Sequence, residues 1–177
     1  MMNPVTKLYI KVFFQAGIPF GLIMTAIDLI NGNGFSWEKF LFSFIGFGLF
    51  MSLALVSIHI HRLKKLGVQK FTDENLSVRQ TKIVTSPLNL SEMKQKLKSD
   101  LALEKMKMTE VQNGILLDSK VTWKSWGEKI GVILQSKDGD NYNYQISSKP
   151  RLTSTIIDFG KNLVNVSKIE QAITHPS

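Results

Sequence analysis

The tripeptide Asp158-Phe159-Gly160 is the most suggestive chemical motif in the sequence, because the same letters bind a catalytic magnesium ion in protein kinases. A kinase also needs a Gly-rich phosphate loop, a strand lysine with a glutamate partner, and a catalytic-loop Asp and Asn. The sequence has none of these, so the motif is interpreted as structural. We expect Asp158, with Thr155, to cap the last helix, Phe159 to pack into the core, and Gly160 to permit close contact.

Asn162 follows the motif and is not explained by it. The predicted apolar stripe of this helix runs through Ile156, Phe159, Leu163, Val166, Ile169 and Ile173, and Asn162 fits it imperfectly. Its amide could tie the preceding connector, residues 147–152, to the helix. The strand–connector–helix corner is therefore a candidate structural site.

Metal and catalytic patterns are weak elsewhere. The stretch at 138–141 begins like a calcium loop, but positions six and twelve are Asn143 and Lys149 instead of Gly and Glu. His59 and His61 would point to different faces of a helix, with no third ligand nearby. No nucleophile triad, paired carboxylates or phosphate loop is recognisable. The sequence favours a non-enzymatic protein without metal or cofactor.

Exposed basic and aromatic residues are the better candidates for contacts. Trp126 is expected at an exposed hairpin end, whereas Trp123 is expected in the core. Lys149 and Arg151 lie in a Ser-rich connector that could bind an anionic headgroup or phosphate, and solvated loop chemistry is the alternative. The candidate contact residues for a partner or lipid headgroup are Arg62, Lys64, Lys65, Trp126, Lys149 and Arg151.

Composition separates the chain into two halves. It has 177 residues, no cysteine and a formal net charge of +8. Four basic residues and no acidic one lie within 62–70, directly after an apolar run. Charge placed in this way suits a membrane surface better than a nucleic-acid groove, and no nucleic-acid partner is expected.

Two apolar runs, at about 9–30 and 40–60, predict transmembrane helices, since a bilayer core of about 30 Å needs roughly 20 residues. The turn-rich stretch 31–40 between them predicts an antiparallel hairpin. Basic residues flank the runs at Lys7, Lys11 and 62–65, whereas the loop has only Lys39. The positive-inside rule therefore predicts a bacterial inner-membrane protein with both termini cytoplasmic.

Small and acidic residues inside the runs raise two further questions. Gly17 and Gly21 have the small-xxx-small spacing of close helix packing, and Gly46 and Gly48 lie close together in the second run. They are expected to pack the hairpin, and a homo-oligomer seam is the alternative. Asp28 lies near the end of the first run, where snorkelling toward headgroups and a functional role both remain open.

The remaining residues predict an α+β domain. Strands are expected over 76–86, 104–111, 114–123, 129–136 and 141–148, and helices over 90–101 and from about 155. Asn89 and Glu92 have capping-box spacing, and Asn113-Gly114 and Asp138-Gly139 predict hairpin turns. The predicted organisation is a hairpin at 1–61, a basic juxtamembrane linker at 62–70 and a cytoplasmic domain at 71–174. The domain order is β-α-β-β-β-β-α, with a mainly antiparallel sheet packed by helices.

Residues 120–173 resemble a family of uncharacterised bacterial membrane-anchored proteins. The resemblance is carried by the hairpin "TWKSWGEKIGVIL", a final strand, a basic Ser-rich connector and Asp-aromatic-Gly-x-Asn before an amphipathic helix. That family has no assigned activity. The resemblance implies a bacterial inner-membrane setting and an α+β domain, and it carries over no catalytic residues.

The function expected from the sequence is binding or scaffolding. An anchored domain would be presented to a protein partner or to lipid headgroups at the membrane, where tethering raises its effective concentration. A lipid-handling module that encloses an apolar ligand, and a small subunit of a larger membrane complex, are the alternatives.

Overall fold

A computed structural model describes residues 2–100, 103, 105–121 and 126–174. The chain divides into two compact units, Met1–Leu76 and Ser77–Ser177, here called the hairpin unit and the sheet unit. Trp123, expected in the core, lies outside the described residues. The two units are taken in turn.

The hairpin unit contains two long helices, α1 (Pro4–Ile30) and α2 (Trp37–Lys65). Asn3 caps α1 by accepting a hydrogen bond from the backbone N–H of Val5, and Ser36 caps α2 by accepting from that of Lys39. Both helices are long and apolar enough to cross a membrane, and few residues of their apolar windows are buried inside the unit.

Three of the four glycines in the predicted packing pairs lie where α1 meets α2. A Cβ added at Gly17 would lie 2.6 Å from the carbonyl oxygen of Phe44, and one at Gly48 would lie 2.8 Å from that of Phe13. Gly21 faces the ring of Phe40, at 2.9 Å. Because no side chain fits at these distances, the glycines allow the two backbones to approach. Gly46 differs, since a Cβ there would meet nothing within 4 Å.

The hairpin unit extends beyond residue 61, where the sequence places the end of the hairpin. The first residues of the expected linker, 62–65, continue α2, and their basic side chains lie in its last turn, which suits the helix dipole. Further along, the side chains of Thr72 and Asn75 each accept a hydrogen bond from the other's backbone N–H. Asp73 lies 2.9 Å from Lys7 of α1. These bonds group residues 71–76 with the hairpin.

The sheet unit is one five-stranded antiparallel sheet with two helices. The strand order is β1-β5-β4-β3-β2, so β1 joins the outer edge of a four-strand meander by pairing with β5. Its elements are β1 (Gln80–Ser86), α3 (Leu90–Ser99), β2 (Lys107–Val111), β3 (Gly114–Asp118), β4 (Glu128–Asp138), β5 (Asn141–Pro150) and α4 (Lys161–Thr174).

Both helices of the sheet unit cover the same face of the sheet. Met93 and Leu97 of α3 and Ile169 and Ile173 of α4 are fully buried in one cluster with alternate residues of the strands. Tyr144 lies in this cluster, and its hydroxyl donates a hydrogen bond to the Leu88 carbonyl at 2.9 Å. Burial raises the pKa of Tyr144 to about 12.

Local structure confirms some expectations and corrects others. The capping box at the start of α3, with Asn89 and Glu92, is confirmed. The hairpin predicted at Asn113-Gly114 is present but begins one residue earlier, because Gln112 and Asn113 form the β2–β3 turn and Gly114 already pairs with Val111. Gly114 is required by the sheet instead, since a Cβ there would lie 2.0 Å from the Val132 carbonyl oxygen.

Strand bounds also differ from the sequence expectation. The first strand starts at residue 80, four residues later than expected, because residues 77–79 form a bend. The fifth strand extends to Pro150, two residues beyond the expected end at Ser148, and therefore includes Lys149, which the sequence places in a connector. Its extra length follows from continued pairing with β4, in which Pro150 is opposite Glu128.

Candidate functional site

The corner before α4 is organised by the carboxylate of Asp158. One of its oxygens accepts a hydrogen bond from the backbone N–H of Gly160 at 3.0 Å. The other accepts from the backbone N–H and the side-chain amide of Asn162, both at 2.8 Å. Asp158 therefore accepts hydrogen bonds from donors at the helix start that have no partner within the helix. It does so from a position before α4 instead of from its first turn.

Two expectations about this corner are corrected. Thr155 does not cap the helix with Asp158, because its hydroxyl donates to the Leu152 carbonyl. Phe159 precedes the helix and is half-buried, and it lies outside the core cluster of buried residues. Phe159 and Gly160 both have positive φ, 54° and 76°, so a tight left-handed bend separates Asp158 from the helix.

Asn162 lies at the centre of a buried polar chain. The hydroxyl of Ser148 on β5 donates to its side-chain oxygen at 2.6 Å, and Asn165 donates to the same hydroxyl at 3.2 Å. Ser148 and Asn162 are at most 1% exposed. Because unpaired buried polar groups are costly, these bonds fix α4 on β5 and explain the buried Asn162 that the sequence left unexplained.

A second polar group lies beneath the same end of the sheet. Glu128, the first residue of β4, is 3% exposed and lies 2.8 Å from the ammonium group of Lys161 at the start of α4. Ser119 donates to the same carboxylate at 2.5 Å and accepts from the Glu128 backbone at 2.8 Å. A buried carboxylate needs such partners, so this end of the sheet is held to the helix by ionic and neutral bonds together.

The opposite, open face at this end of the sheet carries a row of charges. Cα partners run from Lys107 to Asp118, from Asp118 to Lys129, and from Lys129 to Lys149 across four strands. Lys129 and Lys149 are exposed and lie directly opposite each other, an arrangement of like charges that destabilises a sheet. Arg151 lies 3.1 Å from Asp118. The row therefore has four cations and one carboxylate.

Exposed apolar side chains adjoin this row. Trp126 is 68% exposed, and the carbonyl of the next residue, Gly127, accepts a hydrogen bond from the backbone of Arg151 at 2.9 Å. A Cβ added at Gly127 would lie 3.7 Å from the backbone nitrogen of Val121, which is also exposed. We name this surface the basic end of the sheet; it consists of Lys107, Val121, Trp126, Lys129, Lys149 and Arg151.

The structure thus brings together three of the six predicted contact residues, Trp126, Lys149 and Arg151. The other three, Arg62, Lys64 and Lys65, lie together in the last turn of α2 in the hairpin unit. Sequence reasoning missed Lys107 and Lys129. Their positions in strands were readable, but the register that places Lys129 opposite Lys149 depends on strand pairing and on the β4–β5 turn.

The charges of the basic end suit the binding of an anion. Within the described residues, no group of three or more His, Cys, Asp or Glu side chains could hold a metal ion. The stretch at 138–141 forms the β4–β5 turn, with Gly139 at φ 57°. His59 is buried within the hairpin unit.

No protein-family model matches the sequence, and neither a curated protein nor a solved structure is significantly similar to it. The resemblance of residues 120–173 to bacterial membrane-anchored proteins stays a prediction. Function is therefore to be inferred from geometry and charge.

Proposed function

We propose that this protein is a non-enzymatic, membrane-anchored binding module whose sheet unit binds anionic lipid headgroups. The hairpin unit spans the bacterial inner membrane twice, and both termini are cytoplasmic. The observation that carries the proposal is the basic end of the sheet. Four cations and an exposed tryptophan lie there, at one end of the sheet. A protein partner is the competing occupant of that surface.

Membrane insertion is supported by what the hairpin leaves uncovered. Phe42 is 83% exposed and Phe50 67% exposed, and many other large apolar side chains of both helices point outward. Contiguous apolar surface of this extent is rare on a soluble monomer. The basic last turn of α2 fits the cytoplasmic surface, where anionic lipids attract Lys and Arg.

Headgroup binding is supported by the combination of charge and an aromatic side chain. Anionic headgroups attract clustered cations, at roughly 1 kcal/mol per Lys or Arg near the surface. Tryptophan prefers the boundary between water and lipid, because its ring is apolar and its N–H is polar. The like-charged pair of Lys129 and Lys149 costs stability in the free domain, and an anion between them would relieve that repulsion.

The lipid-handling alternative has less support. Tyr144, Ile146 and Ile169 are fully buried where the sheet meets α4. An apolar ligand between these layers would have to displace them, at a cost of several kcal/mol. The open face of the sheet is therefore the better candidate for contacts.

The proposal can be tested with one fluorophore on the full-length chain, which contains no cysteine. Val121→Cys carries an environment-sensitive label at the basic end, and Asp140→Cys carries the same label in the β4–β5 turn. In nanodiscs, raising the anionic lipid fraction should shift the emission of the first label to the blue and leave the second unchanged.

Charge reversal provides the specificity control. Lys129→Glu with Lys149→Glu should abolish the shift at position 121, whereas Lys137→Glu, in the exposed part of the same strand, should keep it. Salt should weaken the effect, since exposed charges are screened over about 8 Å at physiological ionic strength. If the emission of the label at position 121 does not change with the anionic lipid fraction, the basic end is not a headgroup site. A protein partner then becomes the better proposal.

A further inference from the structure

A groove opens between α1 and α2 at the loop end of the hairpin, within the hairpin unit alone. Its volume is about 490 Å³, and its lining includes Met24, Thr25, Asp28, Glu38, Lys39 and Phe42. Asp28 and Lys39 form an ion pair across the groove, with 3.3 Å between their charged atoms. This groove contains the intramembrane acid that the sequence left open between snorkelling and function.

The polar and apolar groups of the groove lie at different depths. At 1.5 Å per residue, α1 and α2 are about 40 and 43 Å long, longer than the bilayer core of about 30 Å. Asp28 is two residues from the end of α1 and Lys39 two residues from the start of α2. Met24 and Phe42 lie about one turn deeper. A polar layer above an apolar one matches a lipid headgroup above its acyl chains.

The charges of the groove select among headgroups. Two carboxylates and one ammonium group disfavour an anionic lipid and suit a zwitterion, whose phosphate can meet Lys39 and whose ammonium can meet Asp28 or Glu38. Quaternary ammonium groups prefer cages of several aromatic rings, and Phe42 is the aromatic side chain among the lining residues. A primary ammonium group can instead donate hydrogen bonds to the carboxylates.

We propose that this groove binds a phospholipid with a phosphoethanolamine headgroup. The proposal rests on the proposed membrane insertion of the hairpin. It assigns Asp28 and Glu38 to the ammonium group, Lys39 to the phosphate, and Met24 and Phe42 to the first carbons of the acyl chains.

Native mass spectrometry of the full-length protein tests this proposal. The protein is incubated in detergent with equimolar phosphatidylethanolamine, phosphatidylcholine and phosphatidylglycerol of identical acyl chains. We expect the ethanolamine lipid to be retained roughly tenfold more often than the choline lipid, as one charge-assisted hydrogen bond would give. Asp28→Asn should remove most of that preference.

A matched control and a second variant separate the loss of a groove carboxylate from general effects on charge or folding. Asp73→Asn removes a carboxylate at the other end of the same unit, where Asp73 pairs with Lys7, and should keep the preference. If Asp28→Asn lowers helix content, Glu38→Gln gives the same readout from an exposed position. Equal retention of ethanolamine and choline lipids, or a preference for the glycerol lipid, overturns the groove proposal alone. A protein that retains no lipid and does not fractionate with membranes overturns membrane insertion as well.

Discussion

The hairpin unit and the sheet unit differ in where their apolar side chains lie. In the sheet unit, Ile115, Ile146, Ile169 and Ile173 are fully buried in one cluster between the sheet and two helices. In the hairpin unit, glycines lie at the helix contact together with buried side chains such as Val12 and Val56, and phenylalanines such as Phe42 point outward. The sheet unit buries its apolar side chains internally, whereas the hairpin unit leaves many large apolar side chains exposed.

Because of this difference, we expect different interactions to stabilise the two units. A buried cluster stabilises the sheet unit by removing apolar area from water. Two helices in lipid, as we propose for the hairpin unit, would gain little from that effect and would depend on close packing. Substitutions that change side-chain volume should therefore be costly at buried isoleucines and at interhelical glycines, and nearly neutral at outward phenylalanines.

The largest expected effect comes from truncating the core of the sheet unit. Ile169→Ala should lower the free energy of unfolding by about 2–5 kcal/mol, because it leaves a cavity under α4. Phe50→Ala, on the outward surface of α2, should change local stability by less than about 0.5 kcal/mol in detergent. Amide hydrogen exchange of the full chain reads both units at once. Equal losses would remove the distinction between them.

Interhelical glycines should come next. Gly48→Val places its Cβ 2.8 Å from the Phe13 carbonyl oxygen, which is too close for contact, and should destabilise the hairpin by about 1–3 kcal/mol. Gly46→Val, two residues away and facing open space, is the matched control. The midpoint of unfolding in a detergent titration should drop only for the first variant. If Gly46→Val is the more damaging change, a second copy or another partner covers that face instead.

The polar chain under the basic end should be sensitive to single deletions. Ser148→Ala leaves buried amide groups of Asn162 and Asn165 without their shared hydroxyl, at a cost of about 1–3 kcal/mol. Ser147→Ala, on the opposite face of the same strand, should stay within about 0.5 kcal/mol. Thermal unfolding of the sheet unit measures both. Similar midpoints for the two variants would mean that the polar chain does not hold α4.

The smallest effect is electrostatic and depends on pH. Hydrogen bonds from Lys98 and then Lys94 lower the pKa of Glu110 below its ordinary value of 4.5. Ionised Glu110 therefore adds stability above that ordinary value, and the contribution disappears as the pH falls through the lower folded-state pKa. Glu110→Gln should lower the melting temperature slightly at neutral pH and not in strong acid.

Asp140→Asn, in the exposed β4–β5 turn, controls for the loss of one carboxylate in the same titration. It should leave the melting temperature unchanged at both pH extremes. A deficit of Glu110→Gln that persists unchanged in strong acid would show that packing, not charge, explains it.

The sequence predicted the type of each helix and strand better than it predicted which strands pair with one another. Apolar runs, the Asn89 capping box and alternating strands are local features, and their physics can be read along the chain. The pairing of β1 with β5 is not local, so no local pattern places β1 at the edge of the sheet. The position of Gly114 was misread because Asn-Gly is favoured in turns, and the need for close approach to Val132 appears only once β4 is in place.

The candidate site was predictable to a similar extent. Trp126, Lys149 and Arg151 could be chosen by residue type, but Lys129 becomes relevant only through its register with Lys149. Asn162 has a comparable explanation, because its hydrogen-bond partner Ser148 lies 14 residues away on β5, and only the packing of α4 on that strand brings the two side chains together. Long-range pairing, which one sequence does not encode locally, separates the prediction from the structure in both cases.

Substituted-cysteine labelling tests most directly whether the hairpin unit crosses the membrane twice. Gly34→Cys lies in the loop between the helices, where added atoms meet nothing within 4 Å, and Asp140→Cys lies in the sheet unit. A membrane-impermeant maleimide, applied to cells with a permeable outer membrane, should label position 34 and should label position 140 only after the inner membrane is opened. Labelling of both positions from the same side of the intact membrane would contradict a hairpin that spans it.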